Sequence, residues 1–258
     1  MAQDSPEYKK KKAFFDSLFT VYGRKPVLEA LQADTQPVRL HLSERNRSAP
    51  IIDQIISLAT QGDAEIFYHS PAALSRISKN AKQDQGVALD IRCPSFQSLD
   101  QFLAAQQASY HGSYFAIALD RVTNPQNLGM IIRSVAASPA AALLVPKNGC
   151  ASLNSLVIKA SAGAIFKAPI VQTSELADTL KKCQRAGFQI ASLTLDAPIS
   201  AFDFHPEKPT IFVLGNETDG VSKQVCQLCD ISLRIPMNRD IESLNVAVTA
   251  ALIAFSVR

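Results

Sequence analysis

The chain has 258 residues, of which 47% are hydrophobic and 19% are charged, with 10 glycines and 14 prolines. This composition can bury a substantial core, which excludes a disordered or fibrous protein and predicts a globular one. The sequence shows neither the apolar core of a signal peptide nor a run of about 18 apolar residues. We therefore expect no membrane span and a cytoplasmic protein.

The five cysteines are scattered along the chain, and only Cys226 and Cys229 lie close together. This pair lacks the second pair or nearby histidine that would complete a metal site. We therefore expect reduced structural thiols rather than a metal or redox site, and no bound metal ion.

Residues 1–20 are predicted to form a basic tail, with a lysine run at positions 9–12. Acidic residues flank the run, which is typical of a solvated, disordered segment, and an auxiliary contact to phosphate is the alternative. The net charge of +3 is a weak basic bias that permits an RNA partner without requiring one.

Residues 21–93 alternate helical and strand-like patterns, which predicts a small α/β domain. The predicted elements are a helix at Pro26–Leu31, a strand at Val38–Leu42, a helix at Ile51–Thr60, and strands at Glu65–Tyr68 and Val87–Ile91. The polar, glutamine-rich segment 94–113 is predicted to be a linker that can form a helix.

Residues 114–258 again alternate strands and helices, which indicates a parallel sheet covered on both faces. The predicted strands are Tyr114–Leu119, Ala141–Val145, Gln189–Leu193 and Ile211–Leu214, and the predicted helices are Asn127–Ala137, Ser152–Ala160, Ser174–Ala186, Lys223–Leu228 and Ser243–Val257. Ligands of such sheets bind outside the carboxyl ends of the strands. The loops 120–129, 215–222 and 236–245 are therefore the first places to look for a site.

Each loop taken alone is ambiguous. Asn127 is a natural helix N-cap, and Arg133 lies at the margin of the buried stripe of its helix, as in any capped helix with an extended arginine. The second loop has neither the glycine spacing of a dinucleotide-binding GxGxxG sequence nor the Gly-Lys-Ser/Thr ending of a phosphate-binding loop. Glu217 and the glycines of this loop are therefore compatible with two functions: a site where the main chain approaches a ligand, or a plain turn. Ser243 could cap the last helix and Asn245 would fall in its first turn, where free amides can hold a ligand.

Taken together, the three loops form a more specific pattern. Their sequences are Asn127-x-Gly129-x-x-x-Arg133, Gly215-x-Glu217-x-x-Gly220, and Pro236-Met237 followed by Ser243-Leu244-Asn245-Val246. In this order and spacing they closely resemble the three signature motifs of SpoU-type (TrmH-like) RNA methyltransferases of the SPOUT superfamily. The resemblance spans about residues 115–257, and residues 22–31 resemble the start of the ribosomal-protein-like substrate-binding domain of many members.

The chain departs from the family pattern at a few positions, none of which carries a catalytic group. These positions are Met130, Ser138, Pro139, Arg239 and Ala247. Arg239 stands where glycine is common, so it could change the shape of the cofactor loop.

The resemblance implies a fold, an activity and a set of site residues. The fold is a C-terminal parallel-sheet α/β domain with a deep trefoil knot, preceded by the small α/β domain, and the knotted domain forms a homodimer. The activity is methyl transfer from S-adenosylmethionine to a ribose 2′-hydroxyl of structured RNA, with ribosomal RNA favoured and transfer RNA the alternative. The implied catalytic residues are Arg133, Asn127, Glu217, Ser243 and Asn245, and the implied cofactor contacts are Leu214, Gly215, Asn216, Gly220, Ile235, Met237, Leu244 and Asn245.

Four cations are candidate RNA contacts, and each could equally be ordinary solvated surface: Arg24, Lys25, Arg121 and Lys147. Two other functions stay open, namely a non-catalytic RNA-binding or ribosome-assembly protein of the same fold and a methyltransferase acting on a base nitrogen. The intact polar set argues against the first, and the Ser243-Leu244-Asn245 ending favours ribose over a base. A Rossmann oxidoreductase is disfavoured because no GxGxxG sequence follows the first strand.

Overall fold

The computed structural model describes residues 18–33, 35–46, 49–92, 96–108, 114–239, 241 and 243–257. The chain divides into two compact units, residues 1–94 and 95–258. The lysine run of the N-terminal tail lies outside the described residues.

The first unit is built on a four-stranded sheet of order β1-β4-β2-β3, in which β2 and β3 are parallel and the other pairs antiparallel. Its elements are β1 (Phe19–Tyr22), α1 (Arg24–Gln32), β2 (Gln36–Ser43), α2 (Pro50–Gln61), β3 (Glu65–His69), α3 (Pro71–Ser78) and β4 (Val87–Arg92). Leu40 and Leu89 are fully buried in its core.

Strand β1 and helix α3 of this unit were not predicted from the sequence. Helix α3 starts with Pro71, and the Ser70 hydroxyl accepts a hydrogen bond from the Ala73 amide. A serine cap followed by proline is a common helix start, so this signal was present in the sequence.

The second unit is built on an eight-stranded sheet whose pairs are all parallel. Its strands are β5 (Phe96–Gln97), β6 (Phe115–Leu119), β7 (Ala142–Pro146), β8 (Ile170–Thr173), β9 (Gln189–Leu193), β10 (Ile199–Ser200), β11 (Thr210–Leu214) and β12 (Ile231–Arg234). Its helices are α4 (Leu99–Ala108), α5 (Pro125–Ala136), α6 (Ser155–Ala160), a 3₁₀ turn (Ala164–Phe166), α7 (Leu176–Arg185), α8 (Lys223–Cys226) and α9 (Val246–Ser256).

The central strands β6, β7 and β11 are buried along their whole length. On one face of the sheet Phe102 of α4 and Leu180 of α7 belong to the same apolar cluster as Ala118 and Val213. The segment 94–113 therefore supplies β5 and α4 to the second unit as far as residue 108, and residues 109–113 lie outside the described part.

The strand order, β10-β12-β9-β11-β6-β7-β8-β5, decides where the loops meet. Strand β11 is inserted between β6 and β9, so that Leu214 pairs with Leu119 and Val213 with Ser192. The carboxyl ends of β12, β9, β11 and β6 are consequently neighbours at one edge of the sheet. The predicted parallel α/β fold is confirmed, and the knot stays a prediction.

Two predicted helix caps were wrong. Helix α5 starts at Pro125, and its cap is Asn124, whose Oδ1 accepts from the Gln126 amide at 2.8 Å. Helix α9 is capped by Asn245, whose Oδ1 accepts from the Ala247 amide at 2.8 Å, rather than by Ser243. The short strands β8 and β12 were missed because four residues are too few to show a clear periodicity.

Within the described part of the chain, no helix combines the length and the apolar character needed to cross a membrane.

Gly129 allows α5 and α6 to pack closely. A Cβ atom at this position would lie 2.4 Å from the Ala160 Cβ and 2.8 Å from the Val157 carbonyl oxygen. We expect Gly129→Ala to lower the free energy of unfolding by about 1–3 kcal/mol, because backbone atoms of α6 must move. Urea denaturation checks this, and Ser134→Ala on the same helix is the control. A Gly129→Ala protein as stable as the control would contradict the packing.

Candidate functional site

A cavity of about 490 Å³ lies at the carboxyl ends of β9, β11 and β12. Nine residues predicted from the sequence line it: Leu214, Gly215, Asn216, Glu217, Gly220, Ile235, Met237, Ser243 and Leu244. They come from the second and third motif loops, so the fold brings these two loops together around one space.

A third wall of the cavity was not predicted from the sequence. It is formed by the end of β9 and the segment that follows it, which supply Leu193, Thr194, Leu195 and Asp196, and by Val246 and Thr249 of α9. The segment after β9 carries no glycine or motif residue. Only the strand order, which places β9 between β11 and β12, could have revealed it.

Gly215 holds the second loop against itself. A Cβ atom here would lie 2.1 Å from the carbonyl carbon of Gly220 and 2.2 Å from the Val221 nitrogen. Asn216 and Gly220 also exchange backbone hydrogen bonds of 3.1 and 2.9 Å. Any larger residue at position 215 would therefore open the loop that forms the cavity wall.

Arg121 and Asn216 secure this loop to the end of β6. The Asn216 side chain donates to the Arg121 carbonyl oxygen at 3.1 Å and accepts from the Thr218 amide at 2.8 Å. The Arg121 guanidinium donates to the Gly220 carbonyl oxygen at 3.1 Å and pairs with Asp219 at 3.4 Å. Arg121, a candidate RNA contact, therefore has structural partners within the loop.

A chain of side-chain hydrogen bonds joins the three motif loops. Asn245 Nδ2 donates to Asn127 Oδ1 at 3.1 Å, and Asn127 Nδ2 donates to Glu217 Oε1. Asn127 is buried, with 8% of its surface exposed. Its amide is therefore held by one partner from each of the other two motifs, and it positions Glu217 at the cavity.

Arg133 lies apart from this chain. It is exposed, it does not line the cavity, and within the described residues its guanidinium makes no hydrogen bond or ion pair. Arg133 lies three residues after Met130, so the two side chains share one face of the helix. Met130 is 48% exposed. The structure thus brings Asn127, Glu217, Ser243 and Asn245 together and leaves Arg133 on an outer face.

The remaining candidate RNA contacts are spread over both units. In the first unit, Arg24 donates from Nε to the Gln85 carbonyl oxygen at 3.4 Å, and Lys25 is exposed. In the second, Lys147 is exposed directly after β7.

The cavity combines apolar side chains with carboxylates. Leu195 and Leu244 are 57% and 36% exposed although they line a concave surface. Asp196, Glu217 and Asp219 place carboxylates around them. Such a site fits a ligand that has both a flat apolar ring and a positive centre.

Burial of the thiols fits their predicted structural role. Burial raises the pKa of Cys183 to about 12 and that of Cys229 to about 11. Both thiols therefore stay protonated at neutral pH, and no group of His, Cys, Asp and Glu in the described ranges could hold a metal ion.

A carboxylate in place of the Asn127 amide would face Glu217 directly. Two neighbouring carboxylates raise the pKa of one of them above its value in the unfolded chain, so the folded state loses stability as pH rises through that pKa. We expect Asn127→Asp to lower the free energy of unfolding by about 1–3 kcal/mol at pH 7.5, with a smaller deficit at pH 4.5.

Urea denaturation at the two pH values measures this, and Asn124→Asp is the matched control. It makes the same substitution at the cap of the same helix, where aspartate is a good residue. Equal deficits for the two variants at both pH values would contradict the role of Asn127.

Both units match known protein families. Residues 114–255 match the model of the SpoU rRNA Methylase family, and residues 20–97 match the model described as RNA 2′-O ribose methyltransferase substrate binding. The first match covers more than half of the chain.

Relatives and solved structures agree with the two family models. A protein from Mycobacterium sp. (strain KMS), named an uncharacterized tRNA/rRNA methyltransferase, is 30% identical over 92% of this chain and 75% of its own. The fold is similar to the SpoU methyltransferase AviRb from Streptomyces viridochromogenes, crystallised with AdoMet, at a TM-score of 0.69, 24% identity and coverage of 96% and 91%.

A putative RNA methyltransferase of the TrmH family from Porphyromonas gingivalis has a TM-score of 0.66 and 24% identity, with coverage of 100% of this chain and 99% of its own. The family, the fold and the cofactor predicted from the sequence are confirmed. The chain belongs to the SpoU family of S-adenosylmethionine-dependent RNA methyltransferases.

Proposed function

We propose that this protein methylates a ribose 2′-hydroxyl of ribosomal RNA, with the reaction taking place at the cavity beside Asn127. The observation that carries the proposal is the convergence of the second and third motif loops around one cavity, with the Asn127 amide of the first motif hydrogen-bonded to both of them through Glu217 and Asn245. The match of residues 20–97 to a substrate-binding family of ribose 2′-O methyltransferases supports ribose over a base nitrogen.

The cavity residues fit S-adenosylmethionine. Leu195 and Leu244 offer exposed apolar surface for the adenine ring, and Leu214 and Gly215 line the cavity beside them. Asp196 and Glu217 suit the positive charges of the cofactor. When bound, this cofactor supplies a methyl group activated by its sulfonium.

Arg133 is proposed to hold the ribose and its phosphate. A guanidinium has a pKa above about 12, so it stays charged and is a poor proton acceptor. We assign it an electrostatic role, in which it lowers the pKa of the 2′-hydroxyl and fixes the neighbouring phosphate. The hydroxyl proton would leave to phosphate or water as the oxygen takes up the methyl group and the sulfur–carbon bond of the cofactor breaks.

The exposed position of Arg133 is accounted for by a homodimer. Helix α9 contains no charged residue, and Val248 and Phe255, seven positions apart on one face, are 44% and 53% exposed. A helix that is apolar on all sides is normally buried. Helices α5 and α9 pack together, and Met130 of α5 is also exposed. We propose that a second copy covers this apolar surface and that Arg133, beside Met130, completes a site in the assembled dimer.

Arg133→Ala is expected to lower methyl transfer by at least about 100-fold, because positioning and electrostatics supply much of the rate. Cofactor affinity and stability should change little, since Arg133 is exposed and does not line the cavity. The assay uses labelled S-adenosylmethionine with ribosomal RNA and with transfer RNA, each purified from cells that lack the gene, followed by mass spectrometry of the nucleosides. Arg185→Ala, at an exposed position on α7, is the control.

A labelled 2′-O-methylnucleoside that disappears in Arg133→Ala supports the proposal. Label on a base would assign the protein to base methylation, and label in transfer RNA alone would reject the ribosomal substrate. Near-normal turnover of Arg133→Lys would rule out a role that needs the planar guanidinium.

The dimer is tested by placing a charge on its apolar surface. Phe255→Asp should dissociate it, because a carboxylate buried between two copies has no partner, while the fold is kept because Phe255 is 53% exposed. Sedimentation velocity measures the mass, and Phe202→Asp, at another exposed phenylalanine, is the control. A Phe255→Asp protein that sediments as the wild type does would contradict this interface.

A further inference from the structure

A row of hydrogen-bonded side chains crosses the whole sheet of the first unit. Thr20 Oγ1 on β1 donates to Asp90 Oδ1 on β4 at 2.7 Å, and Asp90 Oδ2 lies 3.1 Å from His41 Nε2 on β2. His41 Nδ1 in turn lies 2.9 Å from His69 Nε2 on the edge strand β3. The row runs from Thr20 on the edge strand β1 to a partly exposed imidazole on the opposite edge strand, β3.

The Asp90 carboxylate sets the tautomers of the His41 and His69 rings. Hydrogen bonds from His41 and Thr20 hold the pKa of Asp90 below its ordinary value although burial opposes them, so Asp90 is ionised and can only accept. His41 Nε2 must then donate to it. In the uncharged ring His41 Nδ1 accepts, so His69 Nε2 donates and His69 Nδ1 carries a lone pair.

His69 Nδ1 has no hydrogen-bond partner within the described part of the chain. One proton added to the His41–His69 pair turns this nitrogen from a hydrogen-bond acceptor into a donor, whichever ring takes the charge. If His69 is protonated, both of its nitrogens donate. If His41 is protonated, its Nδ1 donates to His69 Nε2, and the proton of the neutral His69 moves to Nδ1. The outer nitrogen is thus an acceptor in the uncharged pair and a donor after one protonation.

An exposed aromatic ring adjoins this nitrogen. The Phe67 ring stacks with His41 at a centroid distance of 5.7 Å and with His69 at 6.3 Å, and Phe67 is 38% exposed. An aromatic ring with an outward hydrogen-bonding group is the usual surface for an unpaired base of RNA, which stacks on the ring while its edge is read.

We propose that Phe67 and His69 bind one unpaired base of the RNA substrate, with His69 Nδ1 accepting a hydrogen bond from an exocyclic amino group. The inference rests on the proposed function only in that the substrate is RNA. Three charged side chains lie around the row. Arg39 and Glu65 form an ion pair beside Asp90 and Phe67, and Glu44 lies next to His69. Burial and the neighbouring His41 lower the pKa of His69, which favours the uncharged form of the His69 ring.

The tautomers are tested first by ¹⁵N spectroscopy of the histidine rings in the full chain. We expect a protonated Nε2 and an unprotonated Nδ1 for both His41 and His69 at pH 8. In Asp90→Asn the His41 ring should lose this fixed tautomer. A wild-type His69 protonated on Nδ1 at pH 8 would overturn the inference.

Binding is tested with two labelled RNA stem–loops, with no cofactor added, so that the result does not depend on methyl transfer. One has adenosines in its loop, and the other has purine ribonucleosides, which lack only the 6-amino group. The wild type should prefer the adenosine loop by about fivefold or more at pH 8, and the preference should disappear when the pair takes up a proton at acidic pH. The ratio of the two affinities cancels the general effect of added charge on RNA binding.

His69→Gln should abolish the pH dependence of the preference for the adenosine loop, because a glutamine side chain does not titrate. Phe67→Leu should weaken both complexes by roughly fivefold or more, because the stacking of the base is lost. The matched controls are His205→Gln, at an exposed histidine of the second unit, and Tyr68→Ala, since Tyr68 points to the opposite face of β3. Equal affinity for the two loops at pH 8, or failure of both to bind, would overturn the proposal.

Discussion

The organisation of the site depends on one buried amide. Asn127 has little contact with water, so its polar atoms need partners inside the protein. Those partners come from the loop after β11 and from the start of α9, which are 90 and 118 residues away in the chain. Satisfying a single side chain therefore requires that three distant segments converge, and the same convergence closes the wall of the cavity.

The parallel sheet makes this convergence possible. Because β11 is inserted between β6 and β9, strands that are far apart in the chain end side by side. Glycine at positions 129 and 215 then permits approaches that a Cβ atom would prevent, between α5 and α6 and within the loop after β11. The first approach fixes the helix that carries Asn127, and the second forms the turn that carries Glu217.

The sequence predicted the alternation of strands and helices and half of the cavity residues, because buried strands and motif spacing are local signals. It misjudged Asn127, since a polar residue near a helix start resembles a cap, whereas Asn124 before Pro125 is the cap. The wall after β9 and the outward position of Arg133 depend on strand order and helix facing. No short segment of the sequence carries a signal for the strand order or for the direction in which a helix face points, because both are set by tertiary packing.

Helix α9 contributes to two surfaces within its first turn. Val246 and Thr249 line the cavity, whereas Val248 between them faces outward on the surface assigned to a second copy. Any shift of this turn that alters one surface alters the other, so cofactor binding and the proposed association of two copies are thermodynamically linked. In such a dimer the apparent affinity for S-adenosylmethionine depends on protein concentration, and each bound cofactor changes the dissociation constant between subunits by the same factor.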